Sequence, residues 1–286
     1  MKTRLISMVC TVVTLFAIGS ASATQPAGSS SNYLALGDSI AFGYITEAGY
    51  DYYYPINFVG YGDWDSLALG LNLANGGCPG ETTGSFFSRT APDNGCRAYR
   101  ALFPLHVVYP SINATQLTYA TSYLKQHASV ALVTIQLGAN DILLLEEQCN
   151  NDPTCIANGA PQVFATAEAN MTTSLAALRA TGYSGPIIVL NYYSPDYSNQ
   201  FDTEITEGLN QAITAPAPAY GAVVADVFSA FEAASSNPFA GGQTCVAGLL
   251  APANPQTSPP TCDDHPSQYG HKLIAQVVAA AYQTHR

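Results

Sequence analysis

Five short apolar runs, rich in branched residues, alternate along this chain with stretches of helical periodicity. The runs are Tyr33–Leu36, Leu71–Ala74, Val130–Leu137, Pro186–Asn191 and Ala222–Val227. Each is strand-sized, and none keeps a strict polar/apolar alternation, as expected of strands covered on both faces. Between them, Gln116–His127, Pro161–Thr181 and Thr203–Ala215 read as helices, and a last one, Ser267–Thr284, sets Leu273, Ile274, Val277, Val278 and Ala281 on one face. Strands buried on both sides and alternating with helices predict an α/β fold, a three-layer α/β/α sandwich around a five-stranded parallel sheet. Reactive groups in such sheets gather outside the carboxyl ends of the strands, so the loops there carry the functional information.

The N-terminus reads as a secretory signal peptide over residues 1–23. Lys2 and Arg4 precede a largely apolar run, Leu5–Gly19, and Ala21-Ser22-Ala23 is a small-residue cleavage site. The run is short for a bilayer span, and no later one could cross a membrane. Residues 24–286 then form a single domain, with "TQPAGSSSN" as leader. The net charge of −11 becomes −13 once Lys2 and Arg4 are removed, because the segment contains no acids. Such a surface repels nucleic acid and anionic lipid, so substrates are expected to be neutral, or reached by shape rather than charge.

Six cysteines remain after signal removal, an even number in an exported chain, and imply disulfides. They fall in sequence-local couples, Cys78 with Cys96, Cys149 with Cys155 and Cys245 with Cys262, among the fifteen connectivities that six cysteines allow. Neither Cys-x-x-Cys nor His-x-x-x-His spacing supports zinc, and no cofactor is expected. Asn113 and Asn170 begin glycosylation sequons that matter only in a eukaryotic host.

Four loops carry the chemistry. Gly37-Asp38-Ser39 follows the first run, "NGGCPGETT" (Asn75 to Thr83) the second and "GAND" (Gly138 to Asp141) the third, while "CDDHPSQYGH" (Cys262 to His271) precedes the last helix. Taken singly, each has a plain structural reading: Ser39 as an N-cap, Gly80 as a turn, Asn140 and Asp141 as caps, His265 as a turn residue before Pro266. Taken together they suit acyl transfer. A serine hydroxyl needs a base, and imidazole serves near neutrality. The oxyanion formed on attack needs fixed donors, available from the N–H of Ser39, the N–H of Gly80 and the amide of Asn140.

In this order, Gly37-Asp38-Ser39-Ile40, Gly80, Gly138-Ala139-Asn140-Asp141 and His265-Pro266 resemble the SGNH, or GDSL, hydrolase family, over essentially the whole mature chain. The resemblance implies a flavodoxin-like sandwich, no metal, and ester hydrolysis through an acyl-enzyme. Ser39 would be nucleophile, His265 base, and Gly80 and Asn140 oxyanion donors. It also implies similarity to secreted esterases and lipases, either extracellular or periplasmic.

One departure concerns the residue that orients the base. The family often has Asp three residues before the histidine, and Cys262 stands there. Asp263 is the first candidate, Asp264 a weaker one, and a backbone carbonyl near Cys262 the alternative. His271, early in the last helix, is expected on the surface; His106 lacks a strand-end context; Asp196 is expected at a pocket rim. The segment Tyr44 to Asp65 carries six tyrosines and Trp64, which either line a cleft or pack a surface loop. The Cys149–Cys155 loop is a further candidate wall.

Lipid esters, short soluble esters and acylated sugars all remain open as substrates, for a protein expected to be monomeric and without nucleic-acid partners or stable membrane insertion. A carbohydrate O-acetylesterase is the runner-up. A non-catalytic exported binding protein on the same scaffold is the alternative from another class. The α/β-hydrolase elbow Gly-x-Ser-x-Gly, the Gly-x-x-x-x-Gly-Lys phosphate loop and His-Glu-x-x-His do not occur.

Overall fold

The computed structural model of the protein describes residues 31–46, 49–254 and 261–285. Residues 1–23, read above as a signal peptide, and most of the leader lie outside them. The elements run β1 (Asn32–Gly37), α1 (Ser39–Phe42), α2 (Tyr61–Leu69), β2 (Asn72–Asn75), α3 (Cys96–Leu102), α4 (Gln116–Gln126), β3 (Val130–Gln136) and α5 (Ala139–Gln148). They continue with α6 (Pro153–Arg179), β4 (Ile187–Leu190), α7 (Gln200–Thr214), β5 (Ala222–Ala225), α8 (Val227–Ser235), β6 (Leu250–Asn254), β7 (Thr261–Pro266) and α9 (Gln268–Gln283).

All five expected strands form, in one parallel sheet ordered β2-β1-β3-β4-β5. This is the flavodoxin-like order, whose switch point lies between β1 and β3. Helices α2, α8 and α9 pack together over one face, and α4, α6 and α7 over the other. The central strands are therefore sealed twice: Leu132, Val133, Ile135 and all of β4 are buried. That burial is why they read as apolar runs rather than alternating ones. Within the layer, Tyr33 and Thr134 share a hydrogen bond of 2.9 Å between their hydroxyls.

Three expectations need correction. Helix α6 begins at Pro153, eight residues before Pro161, which sits inside it. Asp152-Pro153 is the true start: the Asp152 carboxylate accepts from the N–H of Cys155 at 2.8 Å, and proline suits the first helical position. Helix α9 is rotated from its expected face, so that His271, Ile274, Ala275, Val278 and Tyr282 point inward. Consequently His271 is buried rather than on the surface, and burial holds its imidazole down at about 3. The Pro- and Gly-rich run before the last helix contains an antiparallel hairpin of β6 with β7, where no strand was expected.

The disulfides are Cys78–Cys96, Cys149–Cys155 and Cys245–Cys262, the pairs expected. The third ties β7 to the preceding loop across 17 residues. Closing a loop of that size stabilises by about 3 kcal/mol in the chain-entropy treatment.

Candidate active site

Ser39 opens α1 directly after β1, on a turn held from several directions. Gly37 has φ +146°, and a Cβ there would lie 2.3 Å from the carbonyl oxygen of Gln136, so only glycine fits. The side chain of Gln116 accepts from the Gly37 N–H at 2.6 Å and donates to its carbonyl at 2.9 Å. Asp38 caps the helix by accepting from the Ile40 N–H at 2.9 Å, and its other oxygen accepts from the Tyr192 hydroxyl at 2.5 Å. Burial pushes the Asp38 carboxyl up to about 6, against the pull of these two donors. Gln116 and Tyr192 escape sequence reading because their partners lie 79 and 154 residues away.

His265 lies on β7, which packs against α1. The chain leaving α1 makes the connection: the Tyr44 N–H donates to the Ser39 carbonyl at 2.9 Å, and the Tyr44 ring lies 5.1 Å from that of His265. Nδ1 of His265 is 2.8 Å from Oδ1 of Asp263. Burial would raise the Asp263 carboxyl, but the hydrogen bond and charge of His265, followed by the hydroxyl of Thr46, hold it at about 2. Of the groups considered for that position, Asp263 is the one in contact with the imidazole; Asp264 instead offers its backbone carbonyl to the Tyr193 hydroxyl.

The second and third loops meet beside this turn. Asn140, buried at the start of α5, donates from Nδ2 to the carbonyl of Glu81 at 3.1 Å. Asp141 joins the loops again, accepting from the Thr83 N–H at 2.8 Å and its hydroxyl at 2.7 Å. Gly80 has φ +82°, and a Cβ on it would fall 2.1 Å from the Asn94 carbonyl oxygen. Among the described residues, the backbone N–H groups of Ser39 and Gly80 donate to no protein acceptor, and one N–H of the Asn140 amide is likewise free. Glu81 is buried and pushed up to about 7 by burial, against hydrogen bonds from Ser85 and Gln116. It approaches Cys78 and Cys96 closely enough to suggest metal ligation. Those two sulfurs are bonded to each other and offer no thiolate.

A cavity of about 290 Å³ adjoins the turn. Ile40, Ala139 and Asp264, chain neighbours of Ser39, Asn140 and His265, all line it. Its apolar wall comes from Ile142, Tyr192, Tyr193, Phe201 and Leu209. Glu146, Asp202 and Asp264 also face it, each carboxyl raised by burial first and then by neighbouring acids. The Tyr44–Asp65 segment divides: Tyr44, against His265, joins Tyr52 and Phe58 in a ring cluster with Phe42, Tyr99 and Phe103, Tyr61 is buried, and Tyr50, Tyr53 and Tyr54 are exposed. His106 belongs to that cluster, its Nε2 2.9 Å from the Phe42 carbonyl. Asp196 accepts from Ser198 within its own loop, directly after the cavity-lining Pro195, and Cys149 packs with Leu145, Ile156 and Ala160 in a cluster that backs onto Phe201 and Ile205 of the cavity wall.

The sheet order and the helices on both of its faces define a flavodoxin-like α/β/α sandwich. Residues 35–273 match the GDSL-like lipase/acylhydrolase family, and the chain belongs to it. It is accordingly a carboxylic ester hydrolase. Phospholipase A1 from Streptomyces albidoflavus NA297 is similar in structure, with TM-score 0.57 and 15% identity over 88% of this chain and 100% of that one. An acetyl xylan esterase variant from Geobacillus stearothermophilus superposes with TM-score 0.52 and 16% identity, over 89% of this chain and 95% of that one. At such identities the likeness speaks for the fold. A search of curated proteins found no match.

Proposed function

We propose that the protein is an exported serine esterase that hydrolyses uncharged carboxylic esters with acyl groups longer than acetyl. Ser39 Oγ attacks the ester carbonyl while Nε2 of His265 takes its proton, and Asp263 at Nδ1 fixes the ring and stabilises the imidazolium. The carbonyl oxygen becomes an oxyanion that accepts from the N–H groups of Ser39, Gly80 and Asn140. The tetrahedral species collapses as His265 returns the proton to the leaving alkoxide, leaving an acyl group on Ser39. Water, deprotonated by the same imidazole, then releases the acid and restores the serine. The observations that support this reading are the trio of unengaged N–H groups around the Ser39 turn and, on a strand packed against α1, a histidine already paired with a carboxylate. Six cysteines in three disulfides fit an oxidising compartment, which supports export.

The apolar cavity next to Ile40 supports the preference for longer acyl groups, since an acetyl group leaves it unfilled. Its three carboxylates disfavour anionic substrates. A buried methylene is worth about 0.8 kcal/mol, so kcat/KM is expected to rise about fourfold per methylene from acetate to about hexanoate. The test is a series of 4-nitrophenyl esters run beside acetylated xylan, with Ser39→Ala as control. Preference for the acetylated polysaccharide would replace this reading by a carbohydrate O-acetylesterase. Absence of phosphonate labelling at Ser39 in the folded protein would support a binding protein instead.

A further inference from the structure

One residue outside the four loops touches both side-loop members of the proposed oxyanion hole. Asn94 lies half-buried just before α3, in the segment that returns to Cys96. Its backbone N–H donates to the carbonyl of Gly80 at 2.8 Å. Its own carbonyl oxygen occupies the space a Cβ on Gly80 would need. Its side-chain Nδ2 donates to Oδ1 of Asn140 at 2.9 Å.

The direction of that last bond follows from the neighbours. The Glu81 carbonyl can only accept, so the Asn140 edge facing it must be Nδ2, at 3.1 Å. Oδ1 of Asn140 is thereby turned toward Asn94, which must supply an N–H. The Asn140 amide is thus gripped at both ends, and its remaining N–H has one direction left. Asn94 is itself anchored on both sides. Thr82 Oγ1 donates to the Pro92 carbonyl at 2.8 Å, and the Cys78–Cys96 disulfide closes the segment onto the Gly80 loop. The Asp93 carboxylate accepts from the Arg97 N–H at 2.8 Å and pairs with the Arg97 guanidinium at 3.1 Å, which holds the turn into α3.

We infer that Asn94 is a positioning residue for ester hydrolysis, setting the oxyanion donors of Gly80 and Asn140 in place before substrate arrives. The inference rests on the roles proposed above for Ser39, Gly80 and Asn140. Donors fixed in advance need no reorganisation when charge develops, and that is the source of their effect on rate.

Asn94→Asp is nearly isosteric but opposes a carboxylate to Oδ1 of Asn140. Flipping Asn140 to relieve this sets its oxygen against the Glu81 carbonyl, so the amide is frustrated either way. Loss of one oxyanion donor lowers kcat about 10²- to 10³-fold. Displacement rather than deletion is expected to lower kcat about 30- to 300-fold, with KM within about threefold of wild type, because the contact forms only in the transition state. In an Asn140→Ala background the same change is expected to cost less than about threefold. Asn94→Ala, which removes the grip without the repulsion, carries the same comparison with a smaller loss, and urea unfolding reports the fold of every variant.

Equal losses in both backgrounds, near-wild-type kcat for both Asn94 variants, or failure of both to fold would each overturn the positioning role. Should Ser39→Ala or Asn140→Ala retain activity, the underlying site reading fails instead, and the two failures are thereby told apart.

Discussion

Replacing Asp263 by alanine measures how much of the base's competence comes from its carboxylate partner. The two side chains meet at 2.8 Å and are 21% (His265) and 17% (Asp263) exposed. Against the opposing effect of burial, His265 and then Thr46 hold the Asp263 carboxyl at about 2 rather than 3.8. At about 1.36 kcal/mol for each tenfold change in acidity, this is worth about 2.4 kcal/mol to the charged pair. The pair reaches solvent and shares that figure with Thr46, so screening leaves about half of it acting on the imidazolium that forms in the transition state. The expected fall in kcat is therefore about 8- to 60-fold, with KM little changed. This is far short of the roughly 10⁴-fold effect seen where a buried aspartate alone fixes the imidazole tautomer, because the Tyr44 ring still rests against His265. Initial rates on a butyrate ester, with Ser39→Ala as the zero, provide the assay. A loss below threefold would pass the orienting role to a backbone carbonyl near Cys262. One beyond about 10³-fold would refute the idea that Tyr44 shares in holding the ring.

Two further outcomes are expected. Gly80→Ala places a Cβ 2.1 Å from the Asn94 carbonyl oxygen at φ +82°, so it should cost about 1–3 kcal/mol of stability and lower kcat about 100-fold or more; a kcat within threefold of wild type would remove Gly80 from the oxyanion hole. Asp65 is buried with neither carboxylate oxygen paired among the described residues, and burial pushes its carboxyl up to about 9. Because this lies above the unfolded value near 3.8, the folded state binds the proton more tightly. Stability is then greatest at low pH and falls as pH rises from about 4 to 9, by up to about 1.4 kcal/mol per pH unit from this group. Urea unfolding between pH 5 and 8.5 should show Asp65→Asn flattening the slope; an unchanged slope would mean that Asp65 ionises freely in the folded protein.

Much of this molecule is encoded in short stretches. Branched apolar runs of strand length, Ser, Thr and Asp at helix starts, and glycines where only φ > 0 fits are local signals, and they sufficed for the five strands and the order of the four loops on which Ser39, Gly80, Asn140 and His265 stand. Local signals misled where two readings fit equally well. Pro161 resembled a helix start because proline suits a first turn, and the true start at Asp152-Pro153 depends on a cap bond to Cys155. Leu273, Ile274, Val277 and Val278 leave the rotation of α9 ambiguous in sequence; packing against the sheet and α2 decides it and buries His271.

Beyond the Asp263–His265 pair and the Asp38 cap, each between residues two apart, what gives the candidate site its direction is non-local. The choice of Asp263 over Asp264 or a carbonyl depends on how β7 lies against α1 and Tyr44, the grip of Gln116 on Gly37 spans 79 residues, and that of Asn94 on Asn140 spans 46. The cavity beside Ile40 combines side chains from α5, α7 and the loop after β4. The chain therefore specifies by itself which chemical groups arrive at the sheet edge, since backbone conformation responds to near neighbours. Their angles, partners and free N–H groups emerge only when segments far apart in sequence pack together, because hydrogen bonding and burial act through space and carry no trace in residue spacing.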